Sequence, residues 1–480
     1  MLWDFILLSI FLYKIPWFMK IILSLLIAFL FTISVSAQQA KNILILFSDD
    51  QSYNTIGASG NKEIYTPSLD KLVREGLTFT QAHVMGGHQG AICIPSRAML
   101  MTGRYVNRLP RDGSIIPDSL IGLPEVLKTK GYTTFHSGKW HSDKASHNRM
   151  FNTGDNIFFG GMHFEKEGGQ AHPTVYHYDE TGLYPPSAMM KKDTFSTTLY
   201  AETAIRFLNS DQSKSKPFLC YVAFTSPHDP RTPPEKFRAM YDPEKITLPP
   251  NYLPQHQFDN GDLRVRDEML LSHPRSESDV KKEIALYYGM VSEMDEQVGR
   301  ILEALEKNGL RENTLIIFAG DNGLAVGQHG LLGKQNLYEH SMRVPMIIAG
   351  PGIPKNKTAA GFTYLSDIAP TIYDYLQIRQ PSTVEAKSLM PVIKDPTKKI
   401  RNSIYHVYGH WSRSIKTDDG FKLIVYNVKG EQHTQLFDLK KDPWETTSLA
   451  DKKSFQKKVN TMKALLKKEM QATHDDLNID

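Results

Sequence analysis

Hydrophobic residues along this chain fall into two alternating kinds of run. The first is short, nearly continuous and rich in β-branched and aromatic residues: "NILILF" (Asn42 to Phe47), "YTTFHS" (Tyr132 to Ser137), "FLCYVAF" (Phe218 to Phe224), "TLIIFA" (Thr314 to Ala319) and "VPMIIAG" (Val344 to Gly350). Such runs read as strands covered on both faces. The second kind repeats at helical spacing, as in Val280 to Asn308, where Ile284, Tyr287, Val291, Met294, Val298 and Ile301 share one face. This alternation predicts an α/β fold, a large, mostly parallel sheet covered by helices on both faces.

Near Pro396 the pattern changes. "SIYHVY", "SIKTDDGFKLIVY" and "TQLFDL" read as strands separated by turns, and the basic segment Lys452 to Met470 reads as a helix. The expectation is a main domain over 38–395 and a smaller C-terminal α+β subdomain, an antiparallel sheet plus a helix, over 396–480. Two stretches rich in Gly, Pro, His and aromatics, Ser142 to Lys192 and Pro227 to Ser276, are expected to be long loops. Loops of that length in a compact domain are usually functional.

At the N-terminus Lys20 precedes the apolar run Ile21 to Val35, and "VSA" ends at Ala37, the pattern of a signal peptide over 1–37. Asp4 and a further apolar run before Met19 point to Met19 as the true start. The alternative is an uncleaved membrane anchor. The expected protein is therefore exported and bacterial, periplasmic or secreted, with no stable membrane insertion after cleavage.

Composition narrows the classes. With 480 residues, 41% of them hydrophobic, the chain can bury a large core. A formal charge of +4 over that length, part of it in the leader, gives no nucleic-acid footprint. Only two cysteines occur. Cys220 lies inside an apolar run, where a buried structural thiol is expected. Cys93 is then left over, and in an exported chain a leftover cysteine calls for a chemical role.

The predicted strands run straight into unusual polar residues: Ser48-Asp49-Asp50, Gly138-Lys139-Trp140-His141, Thr225-Ser226-Pro227-His228 and Gly320-Asp321-Asn322-Gly323. Ligands of open α/β sheets bind at the carboxyl ends of strands, so these groups should share one crevice. Asp49, Asp50, Asp321 and Asn322 form an oxygen-only set suited to a hard cation, Ca²⁺ or Mg²⁺, rather than zinc. Lys139, His141, His228 and Lys334 add cations and proton donors, which suits an anion. In "AICIPSRAMLMTGR" (Ala91 to Arg104), Pro95 fits the first turn of a helix and puts Cys93 at its N-terminus, where backbone N–H groups favour negative charge. The competing reading there is a solvent-facing helix start with an inconsequential thiol.

"CIPSRAMLMTGR" resembles the signature of the sulfatase family, in which the cysteine of Cys-x-Pro-Ser-Arg is oxidised to formylglycine (3-oxoalanine). "ILFSDDQ", "SGKWH", "SPHDP", "AGDNG", "GLLGKQNLYEHSMRVP" and "LFDLKKDPWE" follow in the family's order over most of the mature chain. Ser142-Asp143 after "GKWH" depart from many relatives. The resemblance implies that Cys93, once modified, is the nucleophile, its hydrated aldehyde offering one hydroxyl to attack sulfur and a second to expel sulfate. It further implies Ca²⁺, with Mg²⁺ as the alternative, held by Asp49, Asp50, Asp321, Asn322 and residue 93. Arg97 would support the modified residue, and Lys139, His141, His228 and Lys334 would grip sulfate and move protons. His228 would be the acid on the leaving oxygen, and His141 would assist aldehyde regeneration.

The implied partners are a sulfated carbohydrate, algal such as ulvan or carrageenan or a glycosaminoglycan, and a formylglycine-generating or anaerobic maturating enzyme. Arg231, His88, His410, Trp411 and Arg413 are candidates for sugar contact. Two rival readings are a phosphonate monoester hydrolase or phosphodiesterase using the same modified cysteine, and a sulfated-glycan binding protein that never acquires the aldehyde.

Overall fold

The computed structural model describes residues 42–479. The expected signal peptide lies outside the described residues. Eight strands form the main sheet: β1 (Asn42–Asp49), β2 (Gly76–Phe79), β4 (Thr133–Lys139), β5 (Thr153–Phe158), β6 (Phe218–Pro227), β7 (Thr314–Gly320), β8 (Met346–Ala349) and β9 (Lys357–Ala359), in the order β9-β2-β8-β7-β1-β6-β4-β5. From β7 to β5 all neighbours are parallel, whereas β8 is antiparallel to both β7 and β2. Alternate residues of β1 enter opposite cores. Ile43, Ile45 and Phe47 join one cluster, and Leu44 and Leu46 join the other. Cover on both faces explains why the central strands are continuous apolar runs.

Helices α1 (Pro67–Glu75), α3 (Ser196–Asn209) and α4 (Glu277–Lys307) supply one of these cores, through Leu69, Leu72, Tyr200, Phe207, Met294 and Val298. Helix α2 (Cys93–Thr102) and α5 (Ile368–Tyr375) supply the other. The second sheet has the order β13-β12-β11-β10-β3, built from β10 (Ser403–Tyr408), β11 (Ser412–Thr417), β12 (Phe421–Val428) and β13 (Glu431–Asp438), all antiparallel, plus the two-residue β3 (Gly86–Gly87) parallel to β10. Helix α6 (Gln456–Ala472) packs on this sheet, burying Val459, Met462, Leu466 and Met470. A single core cluster includes both Ile43 of β1 and Ile404 of β10.

The stretch Ser142 to Lys192, expected as a loop, carries the short helix Lys144–Met150, edge strand β5 and the paired strands Thr174–Val175 and Met190–Lys191. Its polar composition reflects an edge position rather than absence of structure. Pro227 to Ser276 is indeed mostly irregular, with short helical turns at Glu235–Arg238, Pro243–Lys245 and Arg266–Leu270 beyond the end of β6.

Candidate active site

Parallel pairing brings the polar strand ends together. In register, Ser48 lies beside Gly320, and Asp49 beside Pro227, so Asp321 and His228 flank Asp49 on either side. Lys139 closes β4, which pairs with β6. Gly138 before it has φ +100°, and a Cβ there would lie 1.9 Å from the carbonyl oxygen of Ala223, so no larger residue fits. Asp50 (φ 63°) and His141 (φ 65°) both occupy the left-handed region that non-glycine residues avoid. Two such residues in one crevice concentrate backbone strain there.

Cys93 begins α2, as its proline spacing predicts, and is buried rather than solvent-facing. Its Sγ lies 3.3 Å from His141 Nδ1 and 3.8 Å from Lys334 Nζ. An oxygen of Asp49 and one of Asp321 lie within 4.8 Å of each other and of that sulfur. Lys139 Nζ donates to Asp49 Oδ2 at 2.6 Å. Lys334 Nζ donates to both oxygens of Asp50, at 2.7 and 3.0 Å. Arg97, one turn along α2 and buried, pairs with Asp321 Oδ2 at 2.9 Å and donates to the Lys139 carbonyl at 3.0 Å. Asn322 Nδ2 donates to Asp50 Oδ1 at 2.6 Å, and the Asp50 N–H to Asp321 Oδ1 at 3.0 Å.

The electrostatics separate these groups. Burial raises the pKa of Asp49, but Lys139, His228, Arg97 and Lys334 together hold it well below the usual carboxylate range. Burial, with Asp49 alongside, pushes Asp321 up to about 7, against the pull of Arg97. Burial also raises the Cys93 thiol, with Lys139 and Lys334 opposing. His141 is driven well below the ordinary imidazole range by burial and by Lys139. His228 moves the other way, because Asp50 and Asp229 outweigh its burial. Two imidazoles with oppositely displaced pKa values form a natural base and acid pair.

Within this cluster two buried oxygens, Asp49 Oδ1 and Asn322 Oδ1, accept no hydrogen bond. Buried acceptors without partners are costly. An oxygen set of three carboxylates and one amide carbonyl, two of its oxygens unclaimed, fits a hard divalent cation.

The other predicted residues have varied surroundings. Arg231 is buried, with Nη1 on Glu283 Oε2 at 2.6 Å and its guanidinium over the Tyr287 ring. His88 and His410 stack on one another with centroids 5.5 Å apart. Trp411 donates to the Asn260 carbonyl at 2.9 Å and packs edge-on against Tyr408. Arg413 is buried, and its guanidinium is engaged by Asp475 and by the carbonyls of Gly409 and Ser412. Those contacts tie β11 to the C-terminal residues.

Several residues at the site escape sequence reading. Asp229 Oδ1 lies 3.2 Å from His228 Nδ1, and Arg266 holds Asp229 through both guanidinium nitrogens. Arg266 Nη2 also donates to Asp267, whose other oxygen accepts from Gln335 Nε2 at 2.8 Å. Glu268 accepts from the N–H of Gly333 at 2.8 Å. The segment 266–268 thus braces the turns bearing His228 and Lys334. Tyr287 of α4 donates to the Asp50 carbonyl at 2.7 Å. Asp229 lies inside the "SPHDP" motif, and Gln335 and Gly333 inside "GLLGKQNLYEHSMRVP", whereas Arg266, Asp267, Glu268 and Tyr287 come from sequence far from any motif.

A family model described as sulfatase matches residues 41–378, and one described as N-sulphoglucosamine sulphohydrolase, C-terminal, matches residues 327–472. The chain belongs to the sulfatase family. This sulfatase is 27% identical over 459 residues to the ulvan-active sulfatase of Formosa agariphila, covering 91% of this chain and 82% of that protein. Its fold matches a solved structure in complex with its substrate D-glucosamine-2-N,6-O-disulfate, with TM-score 0.74, 23% identity, and coverage of 91% and 99%. It also matches the phosphonate monoester hydrolase of Agrobacterium radiobacter, with TM-score 0.70, 21% identity, and coverage of 90% and 95%. At these identities the structural matches establish the fold. Membership of the family makes this sulfatase a sulfuric ester hydrolase. Among the described residues no helix is long and apolar enough to cross a membrane.

Proposed function

We propose that Cys93 is converted to formylglycine and that the enzyme hydrolyses sulfate esters on a polysaccharide or its oligosaccharides, releasing inorganic sulfate. The observation carrying this reading is the convergence on Cys93 of His141, Lys334 and the carboxylates of Asp49 and Asp321. When formed, the aldehyde hydrate supplies an oxygen nucleophile, and Ca²⁺ (or Mg²⁺) held by Asp49, Asp50, Asp321, Asn322 and residue 93 supplies Lewis acidity.

The chain's own groups do the rest. Lys139 and Lys334, both buried and already held in place by carboxylates, balance the charge on the sulfuryl oxygens. His228, held protonated by Asp50 and Asp229, gives its Nε2 proton to the departing sugar oxygen. His141, held neutral by burial, takes a proton at Nδ1 as residue 93 is restored. Arg97 anchors Asp321 and the Lys139 carbonyl, keeping the floor of the site in register with α2. Maturation requires a formylglycine-generating or anaerobic maturating enzyme, and the leader directs the protein to the periplasm or outside the cell.

The relatives point to sulfated glycans, algal such as ulvan or carrageenan, or glycosaminoglycans. The phosphonate hydrolase match in fold sustains one alternative, cleavage at phosphorus by the same residue. Assays of purified, matured enzyme on defined sulfated oligosaccharides, an aryl sulfate and an aryl phosphodiester decide between them. Sulfate release from a glycan is expected, and efficient phosphodiester turnover with negligible sulfate release would reverse the reading.

A further inference from the structure

Beside the nucleophile helix lies a hollow of about 490 Å³ whose lining includes His88, Asn107, Arg111, Asp112 and His410. Its walls are joined to the reaction centre at three places. A Cβ on Gly87 would lie 2.8 Å from Pro95 Cγ and 3.5 Å from Asp112 Oδ2, and one on Gly113 would lie 2.2 Å from Ala98 Cβ, so the turn Pro110–Gly113 is pressed onto α2. Ser142, next to His141, donates its hydroxyl to the Gly113 carbonyl at 2.7 Å. Gln335, next to Lys334, donates to the Gly90 carbonyl at 3.1 Å.

The hollow is built, not incidental. Asp112, only 8% exposed, uses both oxygens on His88: Oδ2 accepts from its backbone N–H at 2.6 Å and Oδ1 from Nδ1 at 2.7 Å. The carboxylate occupies Nδ1 and leaves Nε2 available for a further hydrogen bond. Exposed His410 stacks on that ring at an interplanar angle of 23°. Arg111 (φ 47°) and Asp112 (φ 54°) are consecutive left-handed residues, neither of them glycine. Strain of this kind clusters at ligand clamps, and here it turns Asp112 inward while leaving Arg111 exposed. The Arg111 guanidinium has no hydrogen bond or ion pair among the described residues. With Asp112 occupied by His88, the hollow's unpaired ion is a cation whose fork matches a carboxylate or sulfate.

We propose that this hollow is a subsite for a second acidic group of the sugar chain, a carboxylate or a further sulfate ester. Arg111 holds that group, and His88 Nε2 hydrogen-bonds a hydroxyl of the same sugar. The preferred substrate is then a doubly anionic unit rather than a monosulfated neutral one. This deepens the proposed function and rests on it.

The test compares wild type with Arg111→Ala, Arg111→Gly (which suits the left-handed backbone) and Arg111→Lys. The substrates are a uronate-containing sulfated disaccharide, a disulfated galactose disaccharide, N-acetylglucosamine 6-sulfate and an aryl sulfate. Loss of the fork should lower kcat/KM at least about tenfold on one or both doubly anionic disaccharides, mainly through KM, with partial rescue by lysine. The aryl sulfate should be unaffected, and which disaccharide suffers distinguishes carboxylate from sulfate. Equal losses on all four substrates, or no loss on either disaccharide, would overturn the subsite. If wild type turns over no sulfate ester at all, the proposed function fails. Calorimetry then decides the subsite separately, since equal affinity of Cys93→Ser and Cys93→Ser/Arg111→Ala for both disaccharides overturns it.

Discussion

Around Asp49, three carboxylates face Arg97, Lys139 and Lys334 inside the protein. Around Glu339, two carboxylates face Lys416 and Lys422, equally buried. In the second cluster each carboxylate oxygen has a nitrogen close by: Glu339 Oε2 is 2.6 Å from Lys416, Glu339 Oε1 3.0 Å and Glu445 Oε1 2.9 Å from Lys422, and Glu445 Oε2 accepts from the Glu339 N–H at 2.7 Å. In the first, an oxygen of Asp49 and one of Asp321 lie within 4.8 Å of each other and of the Cys93 sulfur. Lys334 and Glu339 even come from the same motif, "GLLGKQNLYEHSMRVP". A shared motif therefore does not distinguish chemistry from architecture. Unclaimed oxygens and strained backbone do not either, since Glu445 is left-handed (φ 58°) and its Oε1 also accepts no hydrogen bond, whereas convergence of carboxylates on a thiol does.

The largest effect that separates the two clusters is removal of residue 93. Cys93→Ala should lower turnover by at least about 10³-fold while leaving the thermal midpoint within a few degrees of wild type. A strong chelator should come next, lowering the rate at least about 10²-fold by withdrawing Lewis acidity. Chelation should also lower Tm, because an ion bound at a hundredfold excess over its Kd stabilises the fold by about 2.7 kcal/mol. An Asp321→Ala variant should show no such response; a chelator that lowers its Tm as much as wild type's would detach the cation from this cluster.

In the Glu339 cluster the outcome should invert. Lys422→Ala leaves Glu445 without its cation and Glu339 with Lys416 alone, and should cost about 3–5 kcal/mol in denaturant unfolding. The fraction that remains folded should turn over at nearly the wild-type rate. A large drop in kcat per folded molecule would mean this cluster takes part in the reaction.

Glu293 supplies the control, a buried carboxylate with no cation. Its Oε1 accepts from Thr198 at 3.1 Å, and burial pushes its pKa up to about 8. A folded pKa above the unfolded one means that stability is full below about pH 4.5 and declines as pH rises through 8. Glu293→Gln should therefore stabilise the protein by on the order of 2 kcal/mol at pH 8, and less toward pH 5, in unfolding curves at several pH values. A gain independent of pH would show that the carboxylate is offset by something else.

Much of this was readable in the chain, for identifiable reasons. The five long apolar runs became strands of the main sheet because central strands must be apolar on both sides, and the polar residues ending four of them met because parallel neighbours end at one edge. Gly76–Phe79 and Lys357–Ala359 went unread because they are short, and Thr153–Phe158 because an edge strand needs less apolar sequence. The reversed direction of Met346–Ala349 depends on the route of its connection, which periodicity does not encode. The metal-type oxygens and Cys93 were legible because each sits in a local signal, a strand end or a helix start. Arg266, Asp267 and Tyr287 were not, since each acts on the site through a partner far away in sequence. Arg413 looked available as an isolated arginine in a turn-rich region, and its engagement by Asp475 rests on a fold contact 62 residues away.

The central claim is that residue 93 works as an aldehyde and not as a thiol. Mass spectrometry of the peptide containing Cys93, from enzyme that releases sulfate, measures this directly. The expected result is a peptide about 18 Da lighter than the unmodified sequence, a change that ordinary thiol oxidation does not produce. An unmodified thiol at full occupancy in fully active enzyme would contradict the account.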